Sequence, residues 1–500
     1  CYRKHIKELD PNALYAPAKL IEYSVDNSVP EYPVKAKIET DGRVIEINAK
    51  YLVGADGGRS TVRSLADIAF PGTTSRFKWA RIDAIARTNI PDARRMSVAI
   101  ESPTYGNVLW TSVDNHRTRI GFVWKHEMEE ATAETIMNEA KKAVHPFDLE
   151  FVELDWWTVY AIGQRVAERF KDGRVFLGGD AAHTHSSGAA QGMNTGLHDA
   201  SNLAWKLAGV LRGLYKESLL ETYEEERKKS AEQLIQIDKD VATCISGNIP
   251  AHFNAPSDAD PNDYLHKVFT TNAAFTVGLG ISYGANLING RNPLAPRLNI
   301  DIGQRAPDPP LFRPGAGYPK RMLEFMPNCG KFWITVFAGD LDPDCAEPKL
   351  RKHNRHLFTA FRHYIDDPSS FVNTLSPVFE FLTIIQRRVG YDIFQSAETL
   401  GAQPLGKTLH DRTSEAYGIY GVDPTKGAII ILRPDGLVGF IATLDQHEEI
   451  SKYFSEFVQP RLKDVRTLWD HMKPAQQEDM AIGEISVEGE AEETKLSSQI

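Results

Sequence analysis

An α/β chain of several domains is predicted, and three observations predict it. Two short apolar stretches, Tyr51–Ala55 and Val175–Leu177, each end in glycine and acid before a helical pattern begins, which is the strand–turn–helix order of an α/β sheet. Between them, apolar and polar residues alternate within Lys78–Trp124, and Phe151–Phe170, with Trp156, Trp157 and Tyr160, reads as extended, as in an antiparallel sheet with one buried face. Beyond a proline-rich stretch at 307–315, a shorter series of strands and helices starts again. The 500 residues have room for this, since typical domain sizes suggest two to four domains. With 42% hydrophobic and 25% charged residues the composition is globular, which excludes a disordered or fibrous protein. The net charge, 57 − 67 = −10, makes non-specific nucleic-acid binding a poor candidate function.

Taken in order, the first fifty residues read as strands. Val34, Ala36 and Ile38 alternate up to Asp41-Gly42, a tight turn, and Ile45 and Ile47 alternate back. After Asp56-Gly57-Gly58-Arg59-Ser60 a short helix starts at Thr61 with Ser60 as its cap. Asp114-Asn115-His116 turns between two strands, and Glu129–Val144 carries helix formers up to His145-Pro146. Leu197, Ala200, Leu203, Ala204, Leu207 and Leu211 recur at helical spacing, and Gly213 stops the run. Ser218-x-x-Glu221 has the form of a capping box opening a second long helix to about Ile245. Residues 246–300 read as loop-rich and 307–315 as a linker. Then come a strand at Phe332–Ala338, helical patterns near 351–365 and 377–388, two strands around the turn Arg433–Gly436, and a helix at Gln446–Phe457. The tail after Pro474 is acidic and poor in aromatics, the composition of disorder.

No run approaches 18 apolar residues, so no transmembrane helix is expected. Cys1, Cys244, Cys329 and Cys345 lie far apart without a C-x-x-C pair, which excludes a zinc ribbon or dithiol site and fits a reducing, cytoplasmic compartment.

Two stretches could carry chemistry. Asp180-Ala181-Ala182-His183-Thr184-His185-Ser186-Ser187-Gly188-Ala189-Ala190-Gln191-Gly192-Met193-Asn194 starts at a strand end and finishes where a long helix begins. Ligands of open α/β sheets bind at such strand ends, and a helix start offers unpaired N–H groups to an anion or ring edge. The plain alternative is a strand-to-helix loop with Asn194 as helix cap. Gly54-Ala55-Asp56-Gly57-Gly58-Arg59-Ser60-Thr61-Val62-Arg63 repeats the pattern, and by itself a capped glycine turn accounts for it.

Taken together the two stretches resemble the flavin-dependent aromatic hydroxylases, nearest the phenol 2-monooxygenase branch. Asp56-Gly57 matches the family motif that touches both FAD and the path of NAD(P)H. Gly179-Asp180 matches the one whose aspartate meets the FAD ribose, and Gln191-Gly192-Met193-Asn194, with Ala190 just before it, matches the helix start beside the flavin ring. Tyr160-x-x-Gly163-Gln164-Arg165 and Tyr223-x-x-Glu226-Arg227 also fit the branch. The implied fold is a Rossmann-like FAD-binding domain (1–75 and 165–245) with an inserted antiparallel substrate sheet (76–164). A connection (246–305), a thioredoxin-like domain (306–474) and a disordered tail (475–500) follow. The chain has Ser187 where the branch usually has proline and Ala190 where it has glycine. The G-x-G-x-x-G unit that opens the family does not precede Leu20, and a βαβ unit needs about 30 residues. With Cys1 in place of a methionine, the expectation is a chain that lacks its first FAD-binding unit.

The resemblance implies an FAD-dependent monooxygenase. NADPH reduces FAD, O₂ gives a flavin C4a-hydroperoxide, and one oxygen passes to a ring carbon ortho to a phenolic hydroxyl. It implies a small phenolic substrate and admits a homodimer, and no catalytic base can be named. Two other readings stay open: a remnant that binds without turnover, and a flavin enzyme of epoxidation or Baeyer–Villiger type. Tyr160 and Trp110 are candidate substrate contacts, although core packing suits both better. His183 and His185 lack the further ligands of a metal site, which favours a structural role. The charge run Glu224–Lys229 reads as a solvated helix face, and Ser498-Gln499-Ile500 only weakly resembles a peroxisomal address.

Overall fold

The computed structural model describes residues 2–186, 191–341, 348–386 and 400–461. Ser187, Ala190 and the tail from 462 onward, each the subject of an expectation, lie outside the described residues. The chain divides into two compact units.

The first unit contains Cys1–Ala69 and Ala167–Ala182. It opens with helix α1 (Tyr2–Leu9), which buries no residue, where strands were expected. Strands β1 (Lys19–Val25), β2 (Val34–Thr40) and β3 (Arg43–Ala49) form an antiparallel sheet, with Asp41 and Gly42 at positive φ in the hairpin turn. Strand β4 (Leu52–Gly54) then leads to helix α2 (Thr61–Leu65).

The second unit contains Phe70–Val166 and the described residues from His183 to 461. Its strands β5 (Gly72–Thr88), β6 (Val98–Ser102), β7 (Gly106–Ser112), β8 (Thr118–Trp124) and β9 (Leu149–Val166) build the antiparallel sheet that alternation predicted, and helix α3 (Ala133–Ala143) packs against it. In the first unit, β10 (Lys171–Asp172) and β11 (Val175–Leu177) join β4 in the order β10-β11-β4, with β11 parallel to β4. Strand β12 (His183–Thr184) pairs with β9, and helices α4 (Gly192–Leu211) and α5 (Glu221–Ile245) follow. Gly213, at φ +67, ends the first of these as expected.

Besides α1, five expectations from sequence need correction or refinement. Ser218 caps nothing: a 3₁₀ turn at Glu217–Leu220 runs straight into α5, whose first residue is preceded by Leu220. The stretch 246–300 holds helices α6 (Pro261–Thr271) and α7 (Ala273–Thr276); Asp260, whose side chain accepts from Asn262 N, caps a helix that begins on proline. The proline-rich 307–315 is part of the C-terminal core. Leu311 is fully buried, β13 (Pro310–Leu311) pairs with β14 (Lys320–Arg321), and Tyr420 donates to the Pro307 carbonyl at 2.7 Å. Residues near 377–388 form a strand, β16 (Phe379–Gln386), which runs parallel to β15 (Phe332–Asp340) after helix α8 (Pro348–Asp366). A strand buried on both faces has no two-residue alternation, so its apolar run imitates a helix stripe. The fifth is the charge run in α5, of which Glu226 and Arg227 are buried.

With β17 (Lys407–Asp411), β18 (Ala428–Leu432) and β19 (Val438–Ala442) the C-terminal sheet has the order β17-β16-β15-β18-β19. β15, β16 and β17 are parallel and the last two strands antiparallel, with a helix at His447–Phe457, an arrangement that agrees with a thioredoxin-like domain. Among the described residues no helix is long and apolar enough to cross a membrane.

Candidate flavin site

In the first unit the two motif loops leave the sheet side by side. Leu177 of β11 stands opposite Gly54 of β4, and Gly178 N donates to the Gly54 carbonyl at 3.0 Å. The loops therefore start at the carboxyl ends of adjacent parallel strands, where α/β sheets bind ligands. Gly54 is required by close approach, since a Cβ there would lie 2.7 Å from the Val62 Cβ of α2. Gly57 is required by conformation, at φ +87 with open space around it.

Asp56 faces the start of α2. Its Oδ2 accepts from Thr61 N at 2.7 Å and Val62 N at 3.1 Å, and its Oδ1 from Ser60 Oγ at 2.5 Å. Ser60 Oγ in turn accepts from Arg63 N at 2.9 Å, so the expected cap is present and Asp56 reinforces it. Arg63 was not singled out from sequence. Its buried guanidinium donates from Nη2 to the Gly58 carbonyl and from Nη1 to the Ala181 carbonyl, both at 2.8 Å. One side chain thus ties the Asp56 loop to the Asp180 loop. Asp180 sits in a 3₁₀ turn (Gly179–Ala181) and is exposed.

In the second unit, Gln191 precedes α4, Gly192 is its first residue, and Met193 and Asn194 are exposed in its first turn. Asn194 is therefore not the cap. Among the described residues no side chain caps this 20-residue helix, and no acid occupies its first turn, an end suited to an anion or an electron-rich ring edge. Ala190 lies outside the described residues. Within the first unit, the exposed carboxylate and the glycine turn have the chemistry to meet a cofactor's hydroxyl and phosphate groups; within the second, the helix start suits an anionic or electron-rich edge.

His183 is buried, its Nε2 donating to Asp199 Oδ2 at 2.8 Å. Asp199 also accepts from Arg227 Nε at 2.7 Å, and Arg227 Nη1 donates to the Tyr283 hydroxyl at 2.8 Å. Burial alone would raise the Asp199 pKa, but the Arg227 charge and the His183 bond bring it below its ordinary value. Among the described residues no group of three or more His, Cys, Asp or Glu could hold a metal.

Tyr160 is half-buried on β9, beside Trp79 and Val241, with the Arg81 guanidinium 5.9 Å from its ring. Trp110 is 1% exposed among Ile82, Phe122 and Ile136, and its indole donates to the Ala93 carbonyl at 2.9 Å. This is a core environment. Trp110→Phe is expected to cost about 1–2 kcal/mol of stability in urea titration through lost volume and one hydrogen bond, without moving KM for an aromatic substrate.

The run Glu224–Lys229 is not a solvated face: Glu226 and Arg227 are each 1% exposed. Glu226 accepts from Lys206 of α4, from Asn202, Asn286 and Asn289, and from both Nη atoms of Arg433. A run of charges says nothing about which two of its members turn inward, and the partners lie up to 207 positions away in sequence.

Family comparisons agree with this architecture. Residues 30–238 match the FAD binding domain family and residues 281–462 the phenol hydroxylase C-terminal dimerisation domain. The chain is 32% identical over 450 residues to the FAD-dependent monooxygenase terD of Aspergillus terreus, covering 86% of this chain and 73% of that protein. It is 28% identical to the 3-hydroxybenzoate 4-monooxygenase of Comamonas testosteroni, covering 88% and 74%. It is also 28% identical to the phenol 2-monooxygenase fsqG of Aspergillus fumigatus, covering 82% and 70%. Among solved structures, aklavinone-11 hydroxylase with FAD and aklavinone superposes with a TM-score of 0.60 at 19% identity, covering 88% of this chain and 73% of that one. The flavin-dependent monooxygenase PieE, with FAD and substrate, gives 0.59 at 18%, covering 88% and 75%; at such identities the likeness is one of fold. The chain is an oxidoreductase with FAD as its cofactor, and it belongs to the FAD-dependent monooxygenases of the aromatic hydroxylase family that carry the phenol hydroxylase dimerisation domain.

Proposed function

We propose that this monooxygenase hydroxylates a small phenolic ring, with NADPH as reductant and O₂ as oxygen source. The observation that carries the reading is the pair of motif loops at adjacent parallel strand ends, in a chain whose relatives include a phenol and a hydroxybenzoate monooxygenase. Bound FAD supplies hydride acceptance and oxygen activation. Asp180 takes a ribose hydroxyl of FAD. Asp56 and Gly57 shape the loop that serves both FAD and hydride delivery, Asp56 acting through its bonds to α2. Gln191, Gly192, Met193 and Asn194 present a helix start to the flavin ring, Ala190 belonging to the same segment. The protein's further tasks are to orient the phenol and to exclude water while oxygen is transferred. Tyr160 is the proposed aromatic contact to substrate, while Trp110 contributes by packing.

The domain boundaries proposed from sequence (FAD-binding 1–75 and 165–245, substrate sheet 76–164, connection 246–305, thioredoxin-like 306–474) belong to the same reading. The dimerisation-domain match supports a homodimer, and four widely separated cysteines support a cytoplasmic location.

The test starts with the visible spectrum of the purified chain titrated with FAD. Near-stoichiometric flavin is expected, and Asp180→Ala is expected to raise the FAD Kd about tenfold or more, the worth of one charge-assisted hydrogen bond. NADPH oxidation against a panel of phenols, with products weighed, completes it. One added oxygen with the ring intact supports the reading; no bound flavin after reconstitution, or ring expansion, overturns it.

A further inference from the structure

Asp238, in the middle of α5, is completely buried. Its Oδ2 accepts from Ser186 N at 2.8 Å and from Gln164 Nε2 of β9 at 2.7 Å, and its Oδ1 accepts from Ser186 Oγ at 2.5 Å. His185 Nδ1 lies 3.9 Å from the same carboxylate and donates to the Ser186 carbonyl at 2.7 Å. Ser186 and Gln164 are themselves buried, so three donors converge where water is excluded. Three positions upstream, His183 is held by Asp199 of α4. Two buried carboxylates on two helices therefore grip the segment His183–Ser186, which leads, five residues on, to Gln191 at the start of α4. A buried carboxylate needs such partners to be tolerated. It is an expensive choice for a merely structural contact, where an apolar side chain would serve.

We propose that Asp238 is a positioning residue: with Gln164 it locks Ser186 and thereby sets the approach of the Gln191–Asn194 segment to the flavin. The inference rests on the reading that this segment contacts FAD. Its chemistry uses both carboxylate oxygens as acceptors. Asparagine can reproduce it, its oxygen accepting from Ser186 N and Gln164 while its amide donates to Ser186 Oγ. Alanine cannot.

The experiment is amide hydrogen exchange with and without FAD, together with FAD titration followed by the visible flavin band. In the parent protein, FAD is expected to slow exchange at 191–195; if it does not, the reading that this segment holds flavin fails, independently of Asp238. In Asp238→Ala, exchange around 183–186 in the flavin-free protein is expected to quicken about tenfold or more. The FAD Kd is expected to rise about tenfold with a displaced flavin band, and Asp238→Asn is expected to restore parent behaviour. Gln164→Met, which removes one donor and keeps the volume, covers the case in which Asp238→Ala does not fold, and is expected to show the same changes at smaller size. Parent-like FAD affinity and flavin band in Asp238→Ala or Gln164→Met, with FAD protection at 191–195 intact, would overturn the proposal.

Discussion

Replacing Arg433 by methionine is expected to destabilise the protein by about 3–5 kcal/mol, read as a lower urea midpoint. Arg433 follows β18 in the C-terminal sheet and is wholly buried. It donates to Glu226 at 2.5 and 3.0 Å, to Asp435 at 3.0 and 2.6 Å, and to Asn289 at 2.9 Å. Within this cluster Glu226 and Asp435 face Arg433 and Lys206, and the charges balance. Methionine fills much of the volume but leaves two carboxylates to one ammonium, with donors removed from both. Burial and the Arg433 charge together push the Lys206 pKa down to about 8 against the pull of Glu226; without Arg433 the ammonium is held more firmly, but one cation still faces two carboxylates. The double variant Arg433→Met/Glu226→Gln is expected to be less destabilised than the sum of the singles, because the uncompensated charge is gone. Equal and additive costs would remove the case for coupling.

The same cluster predicts an acid-side dependence. Burial would raise the Glu226 pKa, but the Arg433 and Lys206 charges hold it well below its ordinary value of 4.5. A carboxylate with a depressed folded pKa stabilises above its unfolded pKa, and that contribution is lost as pH falls toward the folded value. Stability is therefore expected to fall below about pH 4.5, and to fall less steeply in Arg433→Met, where the depression is weaker.

Arg63→Met is expected to raise the FAD Kd about 30- to 100-fold, read by flavin fluorescence. Two charged-donor hydrogen bonds, to the Gly58 and Ala181 carbonyls, are lost at once, worth about 2–3 kcal/mol together. Arg63 is buried and donates to both carbonyls, so the expected loss falls on the mutual placement of the Asp56 and Asp180 loops. Lysine at this position keeps the charge but has no planar fork with which to bridge two divergent carbonyls, and is expected to recover less than half the loss in free energy. A Kd within twofold of the parent would show that the two loops hold their places without Arg63.

Much of this was legible in the sequence. Strand ends marked by Gly54-Ala55-Asp56 and Gly178-Gly179-Asp180, the alternation along 78–124, and the spacing from Leu197 to Leu211 each obey a local rule, and the corresponding elements are present. What misled were residues whose local pattern and environment diverge. Residues 379–386 lose the two-residue period because both faces of β16 are buried. Ser218 has the spacing of a cap, yet a 3₁₀ turn already satisfies the backbone there. Pro307–Gly315 has linker composition, yet Leu311 is held in the core.

By itself the sequence determined the fold class, the family and where the two strand–turn–helix motif loops lie, because strands, glycine turns and helix starts depend on neighbours a few positions away. Only the tertiary structure decided which charges turn inward. Glu226 lies within a run of charges, Asp199 and Asp238 lie on long helices, and Arg63 and Arg433 follow strand-end turns, and no local rule separates them from solvated neighbours. Each has at least one partner between 28 and 207 positions away. A buried charge is tolerated only where such partners converge, and that convergence is a property of packing.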